Sequence, residues 1–465
     1  MINKSQAVEI LNAALATGGD YAEIFIEDKE SENITIENGK VDQDIVSHTF
    51  GAGIRILNKL QSVYGYTNDV TKTGLLTLAN NLAKSFKDER VLTVESLKMK
   101  KFKDMHVRER LSKDVPTKEK VDYLKVGDEV MRNYDKRIVR SRSFFGSTYS
   151  KVTIFNSKGF AFHDEKERSR VVLSCLGVED GKIENGYEAP GTSAGFEYFL
   201  NNVDIKKLAE SAAKQTITML GAKECPSGKM TVVIGNGGGG VIFHEACGHS
   251  LEASAVSRNL SVFAGKKGQQ IASSIVNAVD DGTISNEWGS NNIDDEGNKT
   301  QRNVLIENGI LKNYLIDDFN GRRMNEKGNG ACRRQSYKFE PTSRMSNTYI
   351  LPGKSTPEEI IKATKLGLYA KSLSGGSVNP ITGEFNFGAS EAYIIRDGKI
   401  CEPVRGASLI GSGAEVLMNI DMIGNDLDMS QGMCGAASGS VPVDIGQPTI
   451  RVQNILVGGN GGELK

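Results

Sequence analysis

Residues 230–252 read MTVVIGNGGGGVIFHEACGHSLE, and three textures follow one another inside this stretch. Residues 230–234 are a short apolar run of strand composition, 235–240 are a glycine-rich turn, and 241–255 have helical composition. His244 and His249 bracket Glu245 in that helix, and the whole chain has only five histidines. In the zinc-peptidase pattern HExxH the two imidazoles lie four residues apart on one helical face. Here the spacing is five, so at 3.6 residues per turn the rings point about 140° apart in a regular helix. One tetrahedral ion cannot meet both unless the helix is distorted. Gly248 is the expected place of the distortion and a π-bulge its expected form, because a widened turn brings residues five apart into line. Glu245 falls inside the arc between the histidines and faces the same ion. Cys247 falls on the other side of that arc and reads as a packing residue. The glycine run is not a phosphate loop, since the Lys-Ser/Thr of a P-loop is missing. It reads as permitting close packing or substrate approach.

A catalytic zinc site takes three protein ligands and leaves one position for water. The remaining histidines, His48, His106 and His163, all lie in the N-terminal part. Cys434, in the GMCGA of residues 432–436, is the better third candidate, because small neighbours allow tight backbone approach and sulfur binds zinc well. On its residues alone Cys434 reads equally as a small buried side chain. Zinc lowers the pKa of the water it binds to about 7, which would make Glu245 the base that takes the proton during attack on a peptide carbonyl. Glu245 and His249, four apart, also read as a surface pair or as ligands themselves. Glu252 reads either as an acceptor that orients the His249 ring or as a solvated helix glutamate. Arg333 and Arg334, beside the Gly-Asn-Gly of 328–330, are candidates for holding a substrate carboxylate through paired hydrogen bonds, against a reading as ordinary surface arginines.

Outward from this stretch the chain alternates between the two periodicities. Val8, Leu11, Ala14 and Leu15 recur at helical spacing after Ser5, the expected cap, and Gly18-Gly19 ends that helix. Period-two runs predict strands over 21–26, 34–36 and 54–57, with a hairpin at Glu37-Asn38-Gly39-Lys40. Residues 75–86 and 118–131 predict helices, separated by a charged stretch over 98–113 that reads as a solvated connector, with nucleic-acid docking as the weaker alternative. A second strand-rich block covers 151–187, a helix 205–220, and 221–229 is the expected linker. Thr356-Pro357-Glu358-Glu359 predicts a capped helix running to about residue 366. The expected fold class is α+β in two domains. Residues 1–221 would be a scaffold and dimerisation domain, a mixed sheet with helices; residues 222–465 would be a β-rich domain carrying the metal-binding helix.

Charge and composition exclude other classes. With 57 Lys+Arg against 58 Asp+Glu the net charge is −1, so no overall field draws the chain to nucleic acid or to an anionic membrane. No run of about 18 apolar residues predicts a membrane span. The N-terminal stretch lacks the cationic start and unbroken apolar run of a secretion signal, and six scattered cysteines without a CxxC pair suit a reducing compartment. The expected location is the cytoplasm.

Three tracts in order, VIFHEACGHSLE (241–252), PVRGASLIGSGAEVLMNIDMIGND (403–426) and MCGAASGSVPVDIGQPT (433–449), resemble the TldD/PmbA metalloprotease family, formerly called modulators of DNA gyrase. The likeness extends to the GAGIRIL and YGYTND segments within 20–69. This resemblance implies that His244, His249 and Cys434 bind Zn2+ and that Glu245 is the general base. It implies two-domain subunits that pair into a dimer, with unfolded or flexible peptide entering an internal cavity and binding as an added strand. In the family a TldD-type catalytic subunit often joins a PmbA-type subunit that lacks the metal motif. The intact motif makes this chain similar to the TldD type, as a homodimer or as a heterodimer with a PmbA-type partner. The competing reading is a non-catalytic binding or regulatory subunit of such a complex, which has no need of the motif. Cys247 inside the motif departs from the family pattern and places a second thiol close to the site.

Overall fold

In the computed structural model, which describes residues 2–379 and 381–464, the first helix α1 (Lys4–Ala14) is capped by Asn3 and not by Ser5. The Asn3 side chain accepts from the Gln6 N–H while the Gln6 side chain accepts from the Asn3 N–H, a reciprocal box that Ser5 is one turn position too late to form. Strands β1 (Tyr21–Glu37) and β2 (Lys40–Asn58) meet at Asn38-Gly39, both with positive φ (47° and 83°), as a two-residue hairpin matched to strand twist requires. The strands run through the charged stretch 27–33, which shows no apolar alternation. There β1 is central, paired along its length with β2 on one side and the strand Ile138–Asn156 on the other, and its backbone bonds are satisfied whatever its side chains prefer.

The sheet continues through β3 (Gln61–Thr67), β4 (Ile138–Asn156) and β5 (Phe160–Glu179) in the order β3-β2-β1-β4-β5. The short Lys98–Met99 strand lies parallel to β5, which makes the sheet mixed. Strands of 17 to 20 residues are too long for one helix pair to cover. Accordingly α1 and α2 (Lys72–Ala83) bury Ile10, Leu11, Leu75 and Ala79 against Ile24, Ile26 and Ile54. Helices α3 (Thr117–Tyr134) and α4 (Ile205–Leu220) bury Leu124, Met131 and Ala213 against Ile34, Ile36 and Leu173. The 98–113 connector is docked, not free: Met105 N–H donates to Asn292 Oδ1 at 2.9 Å, Val107 N–H to Asn286 Oδ1 at 2.8 Å, and Asn286 N–H to His106 Nδ1 at 3.2 Å.

Every described strand of this sheet comes from residues 21–192, and the strands of the remaining sheets come from 223–458. These are, among others, β6 (Gly228–Ile234), β7 (Ala278–Asp281), β8 (Arg302–Glu307), β9 (Asn347–Ile350) and β10 (Leu366–Val378). They continue with β11 (Glu384–Arg396), β12 (Ser408–Ser412), β13 (Asp428–Ala436), β14 (Gly439–Gln447) and β15 (Ile450–Gly458). Pairings β10-β6-β15-β12-β11 return to β10 and close a ring. The others form a sheet in the order β8-β7-β9-β14-β13, with β13 at its edge. The Thr356 capping box forms, but its helix ends at Lys362 because Leu366 is already paired with Arg396 in β10. One apolar cluster joins ring residues Val232, Leu368 and Val452 to Leu305 and Val443 of the other sheet. Ile242, Phe243, Ala246 and Cys247 belong to the same cluster, so the histidine-bearing helix is packed between the two. The architecture is α+β. Among the described residues no helix is long and apolar enough to cross a membrane.

Candidate metal centre

The helix after the glycines changes pitch twice in eleven residues. Val241–Phe243 is one α turn, His244–Gly248 is a π-helical turn, and His249–Leu251 tightens to 3-10. The wide turn takes up the extra residue between the histidines and brings their ring centroids to 5.1 Å. Gly248 lets Met345 pack against the turn: a Cβ there would lie 2.1 Å from Met345 Sδ. The glycine run serves close approach as well, since a Cβ on Gly240 would meet the Gly446 backbone of β14 at 2.7 Å. Cys247 is fully buried and faces the apolar cluster, and burial pushes its thiol far up.

Strand β13 brings Cys434 to the histidines. Its Sγ lies 3.3 Å from His244 Nε2 and 3.2 Å from His249 Nε2, and the three atoms fall within 4.8 Å of one another. Zinc bonds to nitrogen and sulfur at a tetrahedral angle set those atoms about 3.5 Å apart, so the three side chains fit a zinc ion with small adjustments. His244 is 2% exposed, and its Nδ1 has no hydrogen-bond partner among the described residues, which leaves Nε2 as its only engaged nitrogen. Burial and the neighbouring His249 hold the His244 imidazole well below the ordinary histidine value, in the neutral form a metal needs. Burial also acts to lower His249, but the Glu252 carboxylate and the Cys434 sulfur outweigh it and hold that ring well above. Glu252 is buried, and its Oε2 is 3.2 Å from His249 Nδ1, the place of an acceptor that orients the ring. Glu245 is half-buried with Oε2 3.7 Å from His249 Nε2, and burial raises its carboxyl.

Other contributors carry no pattern in the sequence. Arg344, fully buried, donates from Nη1 to Ser438 Oγ (3.0 Å) and the Gly439 carbonyl (2.7 Å) and from Nη2 to the Cys434 carbonyl. Its Nε is 3.8 Å from Glu252 Oε1, so one side chain braces both the cysteine strand and the carboxylate behind His249. Both halves grip the same strand: Arg170 Nη2 of the N-terminal half donates to the Gln431 carbonyl at 2.7 Å, and Trp288 Nε1 of the 283–298 loop in the C-terminal half to that of Gly432 at 2.8 Å. Isolated arginines and a tryptophan have no spacing to betray this.

Arg333 and Arg334 are not surface residues; each is 5% exposed. Arg334 Nη2 donates to Glu23 Oε1 at 2.6 Å and to the Asp295 carbonyl at 2.8 Å. Arg55 joins the same buried group, bridging Glu23 (2.9 Å) and Glu296 (2.5 Å). Arg333 Nη1 donates to the Met345 carbonyl at 2.7 Å, directly behind the π turn. The structure does not bring either arginine into contact with the histidine and cysteine atoms.

Sequence profiles of known families match most of the chain: PmbA/TldA metallopeptidase domain 1 over residues 22–86, the central domain over 110–220 and the C-terminal domain over 227–459. The chain is 35% identical over 448 residues to a protein of Buchnera aphidicola subsp. Schizaphis graminum named "Metalloprotease TldD homolog", covering 95% of this chain and 93% of the relative. It is 27% identical over 448 residues to the "Zinc metalloprotease TldD homolog" of Saccharolobus solfataricus, covering 95% and 97%. Its fold is similar to the crystal structure of TldE from Thermococcus kodakarensis, with a TM-score of 0.78 at 18% identity over 97% of this chain and 99% of that one.

Proposed function

The chain belongs to the PmbA/TldD metallopeptidase family, and on that premise we propose that it is a zinc-dependent protease in which His244, His249 and Cys434 hold the ion and Glu245 is the general base. The observation that carries this reading is the convergence of two imidazole nitrogens and one sulfur, from segments 185 and 190 residues apart, beside a carboxylate in a water-poor setting. A zinc ion held there supplies Lewis acidity at the scissile carbonyl and a water of lowered pKa. Glu245, its carboxyl raised by burial, takes and returns the proton at Oε2. Glu252 fixes the His249 ring through Nδ1, and Arg344 keeps Glu252 and the Cys434 carbonyl in place.

We take the substrate to be an unfolded or flexible peptide. The outer edge of β13 beyond Gly432 has no strand partner among the described residues, and an extended chain can add there through main-chain hydrogen bonds. The protein would act within a dimer cavity, paired with itself or with a PmbA-type chain, in the cytoplasm. All six cysteines are free, in keeping with a reducing compartment.

Glu245→Gln is expected to retain zinc and to lose cleavage of casein by about 10²- to 10⁴-fold, because the ligands survive and the base does not. Wild-type cleavage in that variant removes the role assigned to Glu245. Partner binding without chelator-sensitive hydrolysis by the purified wild-type chain would favour a non-catalytic subunit instead.

A further inference from the structure

Between the first sheet and the β13–β14 hairpin lies a cavity of about 230 Å³ whose wall holds five cationic side chains and two carboxylates. Three cations are matched. Lys29 pairs with Glu27 at 3.3 Å, Lys166 with Asp295 at 2.9 Å, and Arg334 with Glu23 at 2.6 Å from outside the wall. Arg168 and Arg333 are left, and among the described residues neither forms an ion pair. Arg168 donates Nε and Nη2 only to neutral oxygens, the carbonyls of Trp288 and Ser290 and the Asn291 side chain, each at 2.8 Å. Arg333 uses only Nη1, on the Met345 carbonyl; its Nε and Nη2 have no acceptor among the described residues.

A guanidinium stays charged at neutral pH, and a buried charge without a directly paired counter-charge is unfavourable; Asp295 and Asp280 act on Arg333, and Asp295 and Asp164 on Arg168, only from beyond ion-pair distance. Burial lowers Arg333 to about 9, helped by Arg168 beside it, and burial lowers Arg168 to about 10. Nε and Nη2 are the parallel pair of donors that grips a carboxylate at two oxygens. The hydroxyls of Thr148, Ser150 and Ser336 in the same wall add neutral donors.

We propose that this cavity binds the C-terminal carboxylate of a peptide substrate in the Nε/Nη2 fork of Arg333, with Arg168 as the second positive charge. Its place argues for a chain end. Met433, next to Cys434 on β13, lines the cavity, and Arg333 is bonded to Met345, whose sulfur packs on Gly248 of the π turn. A peptide lying along the edge of β13 and ending here finds room for its carboxylate and the residue that bears it. The ligand's identity rests on the protease reading; the unmatched charge does not. Arg334, committed to Glu23 and Asp295, is a wall of the site and not its fork.

The test is fluorescence anisotropy on zinc-loaded Glu245→Gln protein with N-terminally labelled peptides of one sequence, ending as free acid, as amide, or as amide with glutamate at the last position. It reads binding whether or not the chain cleaves. The free acid is expected to bind about tenfold or more tightly than the amide, and adding Arg333→Gln brings the ratio to about one. Arg168→Gln lowers the same ratio and serves if the Arg333 variant does not fold. Equal binding of acid and amide overturns the proposal. So does restoration of affinity by the internal glutamate, which marks a side-chain site, and so does displacement by inorganic phosphate with no acid-over-amide preference.

Discussion

Gly248 leaves the room in which Met345 packs on the π turn. With a side chain at 248 the π turn and Met345 cannot both stay where they are, since the added Cβ would stand 2.1 Å from Met345 Sδ. Gly248→Ala is therefore expected to cost about 1–3 kcal/mol in denaturant unfolding. It is also expected to weaken zinc affinity at least tenfold in competition with a chromophoric chelator. Unchanged affinity would mean that the turn does not set the imidazole positions. At this scale the sequence was legible where chemistry follows spacing. The five-residue separation of His244 and His249 demanded a distorted helix, and Cys247 on the far side of the arc reads as packing, as it is. Cys434 is the better third candidate on its small neighbours and its sulfur, but those residues alone leave it even with a small buried side chain, and the family resemblance tips the balance. Arg344 and Met345 were illegible, since they reach the site by tertiary approach alone.

At the scale of elements, turn chemistry and the Thr356 cap were read well, the Ser5 cap was displaced to Asn3, and long-range pairing was not legible. Asn38-Gly39 adopts the positive φ its sequence calls for. The Thr356 box forms, yet its helix is cut short by strand pairing that no local window contains. The 98–113 connector has the composition of a solvated segment but lies against the 283–298 loop, with His106 only 9% exposed. Burial, with Arg168 and Arg108 nearby, lowers the His106 imidazole to about 3. Between that value and the unfolded value of about 6.5 only the unfolded chain binds the proton. The docking contribution is thus complete above about pH 6.5 and is lost as pH falls toward 3, with a slope of up to about 1.4 kcal/mol per pH unit. Urea midpoints at pH 7, 6 and 5 should fall less steeply in His106→Gln than in the wild type; parallel slopes would show that His106 does not titrate as its burial requires.

The whole molecule is two sets of sheets locked by buried charge. Glu23 and Arg55 on β1 and β2 engage Glu296 and Arg334 from the C-terminal half, all at 5% exposure or less. Composition and linker residues lead to an expected boundary near 222, but this lock left no trace, because its members are single charges and the two halves' contributions lie hundreds of residues apart. Arg55→Met removes the shared counter-charge of two buried glutamates and is expected to cost about 3–5 kcal/mol by chemical denaturation. A loss below about 1 kcal/mol would place the lock among solvated surface pairs. The central claim is that His244, His249 and Cys434 share one zinc ion. Anomalous scattering at the zinc edge from crystals of the metallated protein tests it most directly. The expected result is a single strong peak about 2.0–2.3 Å from His244 Nε2, His249 Nε2 and Cys434 Sγ. A map with no peak among these atoms, or with the peak held by other residues, would contradict the account.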